Sequence, residues 1–198
     1  MTLDRFYPIF DRLDWLQRTL PLGVKLVQLR IKGVPDTMLR PVVAQAQTMC
    51  RSHNAVLVVN DHWQIAIDTG CDWLHLGQED LDDADLAAIK RAGIRLGIST
   101  HDHAELDRAL GLSPDYVALG PVYPTILKRM KWRQQGLDRV AEWKRLIGDL
   151  PLVAIGGMTP ERAKGAFRAG ADIVSAVTDI TLNDDPEGRI DQWLQATR

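Results

Sequence analysis

Eight short apolar runs recur along the chain: Phe6 to Phe10, Val24 to Leu29, Val56 to Val59, Trp73 to Leu76, Arg95 to Ile98, Tyr116 to Leu119, Leu152 to Ile155 and Ile173 to Val177. Several are continuous and β-branched rather than alternating, as expected of strands covered on both faces. Between them lie longer segments of helical period. Met38 to His53 places Leu39, Val42, Val43, Ala46 and Met49 close to one face. Ala84 to Ala92, Ala104 to Leu110, Leu137 to Ile147 and Pro160 to Ala169 follow, and Trp193 and Leu194 anchor a last helix. This alternation predicts parallel strands joined by crossover helices. Eight such units in 198 residues predict an α/β protein, a (β/α)8 TIM barrel spanning 1–198 as a single domain. The turn after Phe10 reads Asp11-Arg12-Leu13-Asp14, which lacks the glycines of a dinucleotide-binding fingerprint. A short echo supports serial units: Gly70-Cys71-Asp72, Ser113-Pro114-Asp115 and Gly170-Ala171-Asp172 each precede an apolar run.

Composition bounds the partners. Hydrophobic residues make up 45% and charged residues 25%, enough for a packed core. The net charge of -2 calls for neither nucleic acid nor an anionic membrane, so any positive charge for an anionic ligand must be local. Cys50 and Cys71 form no C-x-x-C pair and read as buried thiols in a reducing compartment. Asp4 and Arg5 stand where a signal peptide needs an apolar run, and no stretch approaches the length of a membrane span. The expected location is cytoplasmic. Pairing of barrel helices into a homo-oligomer stays open.

In such a barrel the chemistry gathers at the C-terminal strand ends and the loops after them. There the chain reads Gln28-Leu29-Arg30-Ile31-Lys32, Asn60-Asp61, Gly77-Gln78-Glu79-Asp80, Ser99-Thr100-His101, Gly120-Pro121-Val122-Tyr123-Pro124-Thr125 with Lys128 beyond, Gly156-Gly157, and Thr178. Gln28, Arg30 and Lys32 alternate, so on an extended strand they point to one side. Aimed into the barrel mouth they need an anion or a counter-charge; the plainer reading is a solvated strand end. Asp61 and Asp80 end neighbouring strands. Two like charges about 4 Å apart repel by roughly 4 kcal/mol at an effective dielectric near 20. A hard divalent cation such as Mg²⁺, shared with ligand phosphates, removes that conflict, although each Asp is also readable as a helix N-cap. Gly156-Gly157 leads into Thr159-Pro160, a glycine turn that opens backbone N–H groups to an anion at a helix start. The run from Lys128 to Gly136 carries four positive charges, as a lid over an anionic substrate or as a solvated loop. The histidines show no metal-ligand spacing.

Taken together, the set Gln28-x-Arg30-x-Lys32, Asn60-Asp61, His75-Leu76-Gly77-Gln78-Glu79-Asp80, Ser99-Thr100-His101, Gly120 to Thr125 and Ala154-Ile155-Gly156-Gly157 resembles the thiamine-phosphate synthase family. The matches run in order from the second strand to the eighth. The resemblance implies a transferase of thiamine biosynthesis that joins a pyrimidine diphosphate to a thiazole phosphate and releases pyrophosphate, with Mg²⁺ as cofactor and these two small molecules as its partners. It implies that Gln28, Arg30, Lys32 and Asn60 hold the diphosphate, Ser99 contacts the same ligand, and Lys128 reaches the pyrophosphate. It implies metal ligation by Asp61 and Asp80, and thiazole phosphate binding by Thr125, Gly157, Val177 and Thr178. Arg30, Lys32, Ser99 and Lys128 would then be the residues nearest the chemistry. The chain departs from the family pattern at Leu127, where a second threonine is usual, and at Thr178-Asp179, where Ser-Ala is usual. A thiazole tautomerase-like barrel and a non-catalytic ligand-binding relative are the alternatives.

Overall fold

The computed structural model describes residues 3–125 and 132–198. In chain order the elements are β1 (Phe6–Phe10), α1 (Leu13–Thr19), a 3-10 turn (Leu20–Leu22), β2 (Leu26–Leu29), α2 (Asp36–Ser52), β3 (Val56–Asn60), α3 (Trp63–Asp68) and β4 (Trp73–Leu76). Then come α4 (Asp80–Asp83), α5 (Leu86–Arg91), β5 (Arg95–Thr100), α6 (His103–Gly111), β6 (Tyr116–Leu119), α7 (Gly136–Ile147), β7 (Leu152–Ile155), α8 (Pro160–Arg168), β8 (Ile173–Ala176), α9 (Thr178–Thr181) and α10 (Pro186–Thr197). The strands pair in parallel in sequential order and close β8 onto β1, the expected eight-stranded barrel.

Every expected strand is present; β1, β4, β6 and β7 keep the expected ends, and β2, β3, β5 and β8 shift theirs. β2 begins at Leu26 rather than Val24, because Gly23, at φ +105°, closes the 3-10 turn just before it. β2 also ends at Leu29, so Arg30 and Lys32 lie beyond it, and simple strand alternation accounts for Gln28 alone. β8 stops at Ala176, since Val177 leaves extended geometry (ψ -83°) to start α9. The expected helix Ala84 to Ala92 is present as the shorter α5, and the separate turn α4 precedes it. Ala84 ends α4, and the Asp85 carboxylate accepts a hydrogen bond from Ala88 N–H at 2.8 Å to cap α5.

The repeated turn aspartates fasten the N-terminal side of the barrel. Asp115 Oδ2 accepts from Leu96 N–H at 2.8 Å, and Asp172 Oδ2 accepts from Leu152 N–H at 2.8 Å. Each carboxylate thus ties the start of its own strand to the strand before it, satisfying an N–H that the ladder leaves open.

The core has two layers. One lies between sheet and helices, with Phe10, Trp15, Leu39, Ile65, Trp143 and Trp193 among its buried members. The other fills the barrel with Tyr7, Leu26, Val58, Trp73, Tyr116, Ala118, Val153 and Ile173. The barrel is therefore packed rather than hollow. Gly97 in β5 makes room for this plug: a Cβ there would stand 1.9 Å from the Tyr116 ring. Among the described residues no helix is long and apolar enough to cross a membrane.

Candidate active site

Above the plug the inward-facing positions turn polar, and the parallel register brings them to one height. Asn60 of β3 is paired with His75 of β4, and His75 with Gly97 of β5, two residues before Ser99. A chain of hydrogen bonds crosses this layer. Gln28 Nε2 donates to the Tyr7 hydroxyl at 2.8 Å, and that hydroxyl lies 3.0 Å from the Tyr116 hydroxyl. Tyr116 in turn lies 2.8 Å from His75 Nδ1, and His75 Nε2 lies 2.8 Å from Ser99 Oγ. Burial pushes the Tyr7 and Tyr116 hydroxyls above the usual tyrosine range. It pushes His75 down to about 4, against the pull of Asp61 and with the help of the Arg30 charge. His75 is therefore a neutral imidazole at neutral pH, with one ring nitrogen donating and the other accepting. The sequence offered little sign of this chain, since Tyr7 and Tyr116 read only as strand residues and His75 only as the start of the block that runs to Asp80. The one usable hint was that His75 and Ser99 end neighbouring strands.

Gln28 sits lower than a rim residue, only 2% exposed and bonded to Tyr7. Asn60 is also buried, and its Nδ2 has no hydrogen-bond partner. A buried amide N–H₂ without an acceptor costs about 1–3 kcal/mol, so this donor suits a ligand acceptor at the barrel mouth.

The expected convergence of charges is present. Lys32 Nζ lies 3.2 Å from Asp61 Oδ2. The Asp80 carboxyl is held above the usual carboxylate range, by burial first, then by the Asp61 charge and a hydrogen bond between the two side chains. Gly77 N–H, donating to Asp80 Oδ2 at 3.1 Å, and the Lys32 charge oppose the rise. The charge of Arg30 also acts on His75, lowering its pKa. Neither aspartate is a helix N-cap. His62 precedes α3 and Glu79 precedes α4. Asp61 instead holds a left-handed φ of +65°, which an aspartate tolerates better than most residues and which aims its side chain at Lys32 and Asp80. Among the described residues no group of three or more His, Cys, Asp or Glu side chains is placed to hold a metal. The donor set is thus two carboxylates, a set suited to a hard cation that takes its remaining oxygens from ligand and water.

On the other side of the mouth, β6, β7 and β8 form a second cup. Val122 N–H donates to Ile155 O at 2.8 Å and Tyr123 N–H to Gly156 O at 3.0 Å, which joins the loop after β6 to the turn after β7. Gly156 and Gly157 allow this closeness. Cβ atoms there would stand 2.6 Å from Pro121 Cα and 2.3 Å from Pro124 O, and both residues have positive φ. Pro124, just before Thr125, therefore lies against Gly157. Val177 and Thr178 begin α9 just past the end of β8, the strand paired with β7. Asp179, a departure from the family pattern, carries no charge into the cup. Its carboxylate accepts from Arg189 Nε and Nη2, each at 2.9 Å, and from Trp193 Nε1 at 2.8 Å.

Leu127, Lys128 and the run through Lys131 lie outside the described residues. Where the chain is described again, Trp132 stacks on His101 with ring centroids 4.2 Å apart. Glu105 holds that imidazole through Nδ1 at 2.7 Å, and Gln135 Nε2 donates to His101 O at 2.7 Å. The C-terminal end of the basic run is therefore docked on the loop that follows Ser99.

A parallel barrel that carries cations, paired acids and a glycine-walled cup on its C-terminal rim is built as an enzyme acting on small anionic molecules. A family model described as thiamine monophosphate synthase matches residues 6–180, and the chain belongs to that family. It is 59% identical over 197 residues to the thiamine-phosphate synthase of Rhizobium etli, covering 100% of this chain and 97% of that one. It is 42% identical over 183 residues to the thiamine-phosphate synthase of Neisseria meningitidis serogroup A, covering 92% and 89% of the two chains. The fold superposes on thiamine phosphate pyrophosphorylase from Pyrococcus furiosus with a TM-score of 0.86 at 23% identity, covering 98% and 95%. It also superposes on a 3-hexulose-6-phosphate synthase with a TM-score of 0.72 at 12% identity, covering 98% and 100%, a likeness of fold alone.

Proposed function

We propose that this chain is a thiamine-phosphate synthase that couples hydroxymethylpyrimidine diphosphate with the thiazole phosphate and releases pyrophosphate. The observation that carries the site assignment is the meeting of Asp61 and Asp80 beside Lys32, next to the unpartnered amide of Asn60, with the Arg30 charge acting on His75. Arg30, Lys32 and Asn60 are the proposed diphosphate contacts, and Asp61 and Asp80 the proposed Mg²⁺ ligands. Mg²⁺, when bound, supplies positive charge for the departing diphosphate. Ser99, held by His75, is the proposed contact to the pyrimidine. Gln28 supports the layer beneath through Tyr7 and reaches ligand from below. Thr125, Gly157, Val177 and Thr178 form the proposed cup for the thiazole phosphate, and Lys128 is the proposed cation at the pyrophosphate.

In this reading the bond between the pyrimidine methylene carbon and the diphosphate oxygen breaks, and its electron pair leaves with the diphosphate. The thiazole nitrogen forms the new C–N bond with its own lone pair, so no side chain has to remove a proton. Arg30 and Lys32 stabilise charge that grows on the leaving group, an effect strongest where water is excluded. The two cups fix the nucleophile opposite the methylene. The proposed compartment is the cytoplasm. Burial pushes the Cys50 thiol up to about 12 and raises that of Cys71, so both resist oxidation without being paired.

The test is pyrophosphate release by the purified protein with both substrates and Mg²⁺, repeated with each substrate omitted and with a chelator. Release that requires both substrates and is stopped by the chelator is the expected result. No release at saturating substrate, or release untouched by the chelator, refutes the activity or the metal assignment respectively.

A further inference from the structure

We infer that Arg189, on α10 and outside every cup described above, is a positioning residue for the thiazole phosphate cup; this rests on placing that phosphate at the ends of β7 and β8. The two walls of the cup belong to different elements. Gly156 and Gly157 lead into α8, and Val177 and Thr178 lead into α9, a helix of four residues that is too short to hold its own place. Each wall carries a carboxylate close by: Glu161 is the second residue of α8, and Asp179 is the second of α9.

One guanidinium takes both. Arg189 Nε and Nη2 each donate to Asp179 at 2.9 Å, while Nη1 and Nη2 donate to Glu161 at 3.0 and 3.1 Å. Gln192 Oε1 accepts from Nη1 at 2.6 Å and helps hold the fork in place. The Arg189 and Asp179 side chains are each only 15% exposed. Trp193, one turn along α10, donates its indole N–H to the same Asp179 carboxylate and stacks on Phe6 of β1 at 5.0 Å. The α9 wall is thereby fastened through Asp179 to the barrel strand, and through Arg189 to the α8 wall. A planar fork with five donors suits this double grip, and an ammonium does not.

The charge arrangement follows from the same contacts. Two carboxylates within a turn of a phosphate cup would repel the ligand. Arg189 keeps the Asp179 carboxylate turned towards α10 and supplies the positive charge that balances it. This explains how the chain carries an aspartate directly after Thr178 without spoiling an anion site. The sequence gives no local sign of it, since Asp179 and Arg189 are ten residues apart on different helices.

The experiment is steady-state kinetics on full-length Arg189→Ala and Arg189→Lys, each substrate varied with the other saturating. Arg189→Ala is expected to raise the KM for the thiazole phosphate about tenfold or more, while the KM for the pyrimidine diphosphate changes by less than about twofold. Arg189→Lys falls between wild type and Arg189→Ala. Adding Asp179→Ala to Arg189→Ala recovers about threefold of the loss, because the released carboxylate is gone. Equal losses for both substrates, no loss, or no recovery in the double variant overturns the inference. If Arg189→Ala does not fold, the same comparison is read on Arg189→Lys. Thr178→Ala separates the two levels of the argument. An unchanged thiazole phosphate KM there removes the cup assignment itself; a raised KM there beside an unaffected Arg189→Ala removes only the role of Arg189.

Discussion

His75 Nε2 and Ser99 Oγ lie 2.8 Å apart, at the upper end of a buried chain that runs through Tyr116 and Tyr7 to Gln28. A neutral imidazole between two hydroxyls lets only one proton arrangement run through it at a time, so the orientation of Ser99 depends on groups at the centre of the barrel. Replacing Tyr116 by Phe keeps the ring and removes the link. It leaves His75 Nδ1 and the Tyr7 hydroxyl each short of a buried partner. The expected loss in unfolding free energy is about 1–3 kcal/mol, read from urea denaturation. A stability equal to wild type would mean that the hydroxyl of Tyr116 is not part of a buried chain.

Asp61→Asn and Asp80→Asn test the paired acids without breaking the backbone. Asn accepts the left-handed φ of Asp61, and at position 80 it keeps an oxygen for the Gly77 N–H. Turnover should fall by about a hundredfold or more, and the Mg²⁺ concentration for half activity should rise. The thermal midpoint should stay level or increase, since removal of one charge relieves repulsion between two carboxylates. Near-normal activity in both variants would exclude them as metal ligands.

Gly157→Ala should damage stability and the second cup together. A left-handed conformation costs a non-glycine residue about 1–2 kcal/mol. The added Cβ would also stand 2.3 Å from Pro124 O, so the loop after β6 has to move. The measurements are the urea midpoint and the KM for the thiazole phosphate. A variant as stable as wild type would show that the turn does not lie against Pro124.

Glu161 sets a pH dependence on stability. Its hydrogen bonds from Arg189 hold its carboxyl down from 4.5 to about 2. A depressed carboxylate contributes stability above its unfolded value, and that contribution disappears as pH falls from about 4.5 towards 2. Because Glu161 is 68% exposed, solvent screens the contribution and makes it small. The melting temperature of wild type should exceed that of Glu161→Gln at pH 6, and the gap should narrow below about 4.5. A gap that widens on acidification would contradict the pairing.

The barrel was legible from sequence because its strands are apolar runs separated by turns, a signal that survives small errors in their ends. Leu13–Thr19 and Trp63–Asp68 were missed as helices, since seven and six residues are too few to display a 3.6-residue period. The rim residues Arg30, Asp61 and Asp80 were legible because a charge at a strand end is locally conspicuous. What could not be read was lateral. Which strand residue meets which across the barrel depends on register and stagger, so the route from Gln28 through Tyr7 and Tyr116 to His75 had no local mark. The partners of Asp179 on α10 are likewise invisible from its own neighbourhood.

The space that Gly97 leaves for the Tyr116 ring ties two strands into one unit of variation. No larger residue can be accepted on β5 at that height unless the tyrosine on β6 shrinks, and a smaller residue in place of the tyrosine opens a void that only a side chain at position 97 can fill. Libraries meant to reshape the bottom of this pocket, for a bulkier or slimmer heterocycle, should therefore mutate both positions together. Scanning either one alone samples mostly misfits.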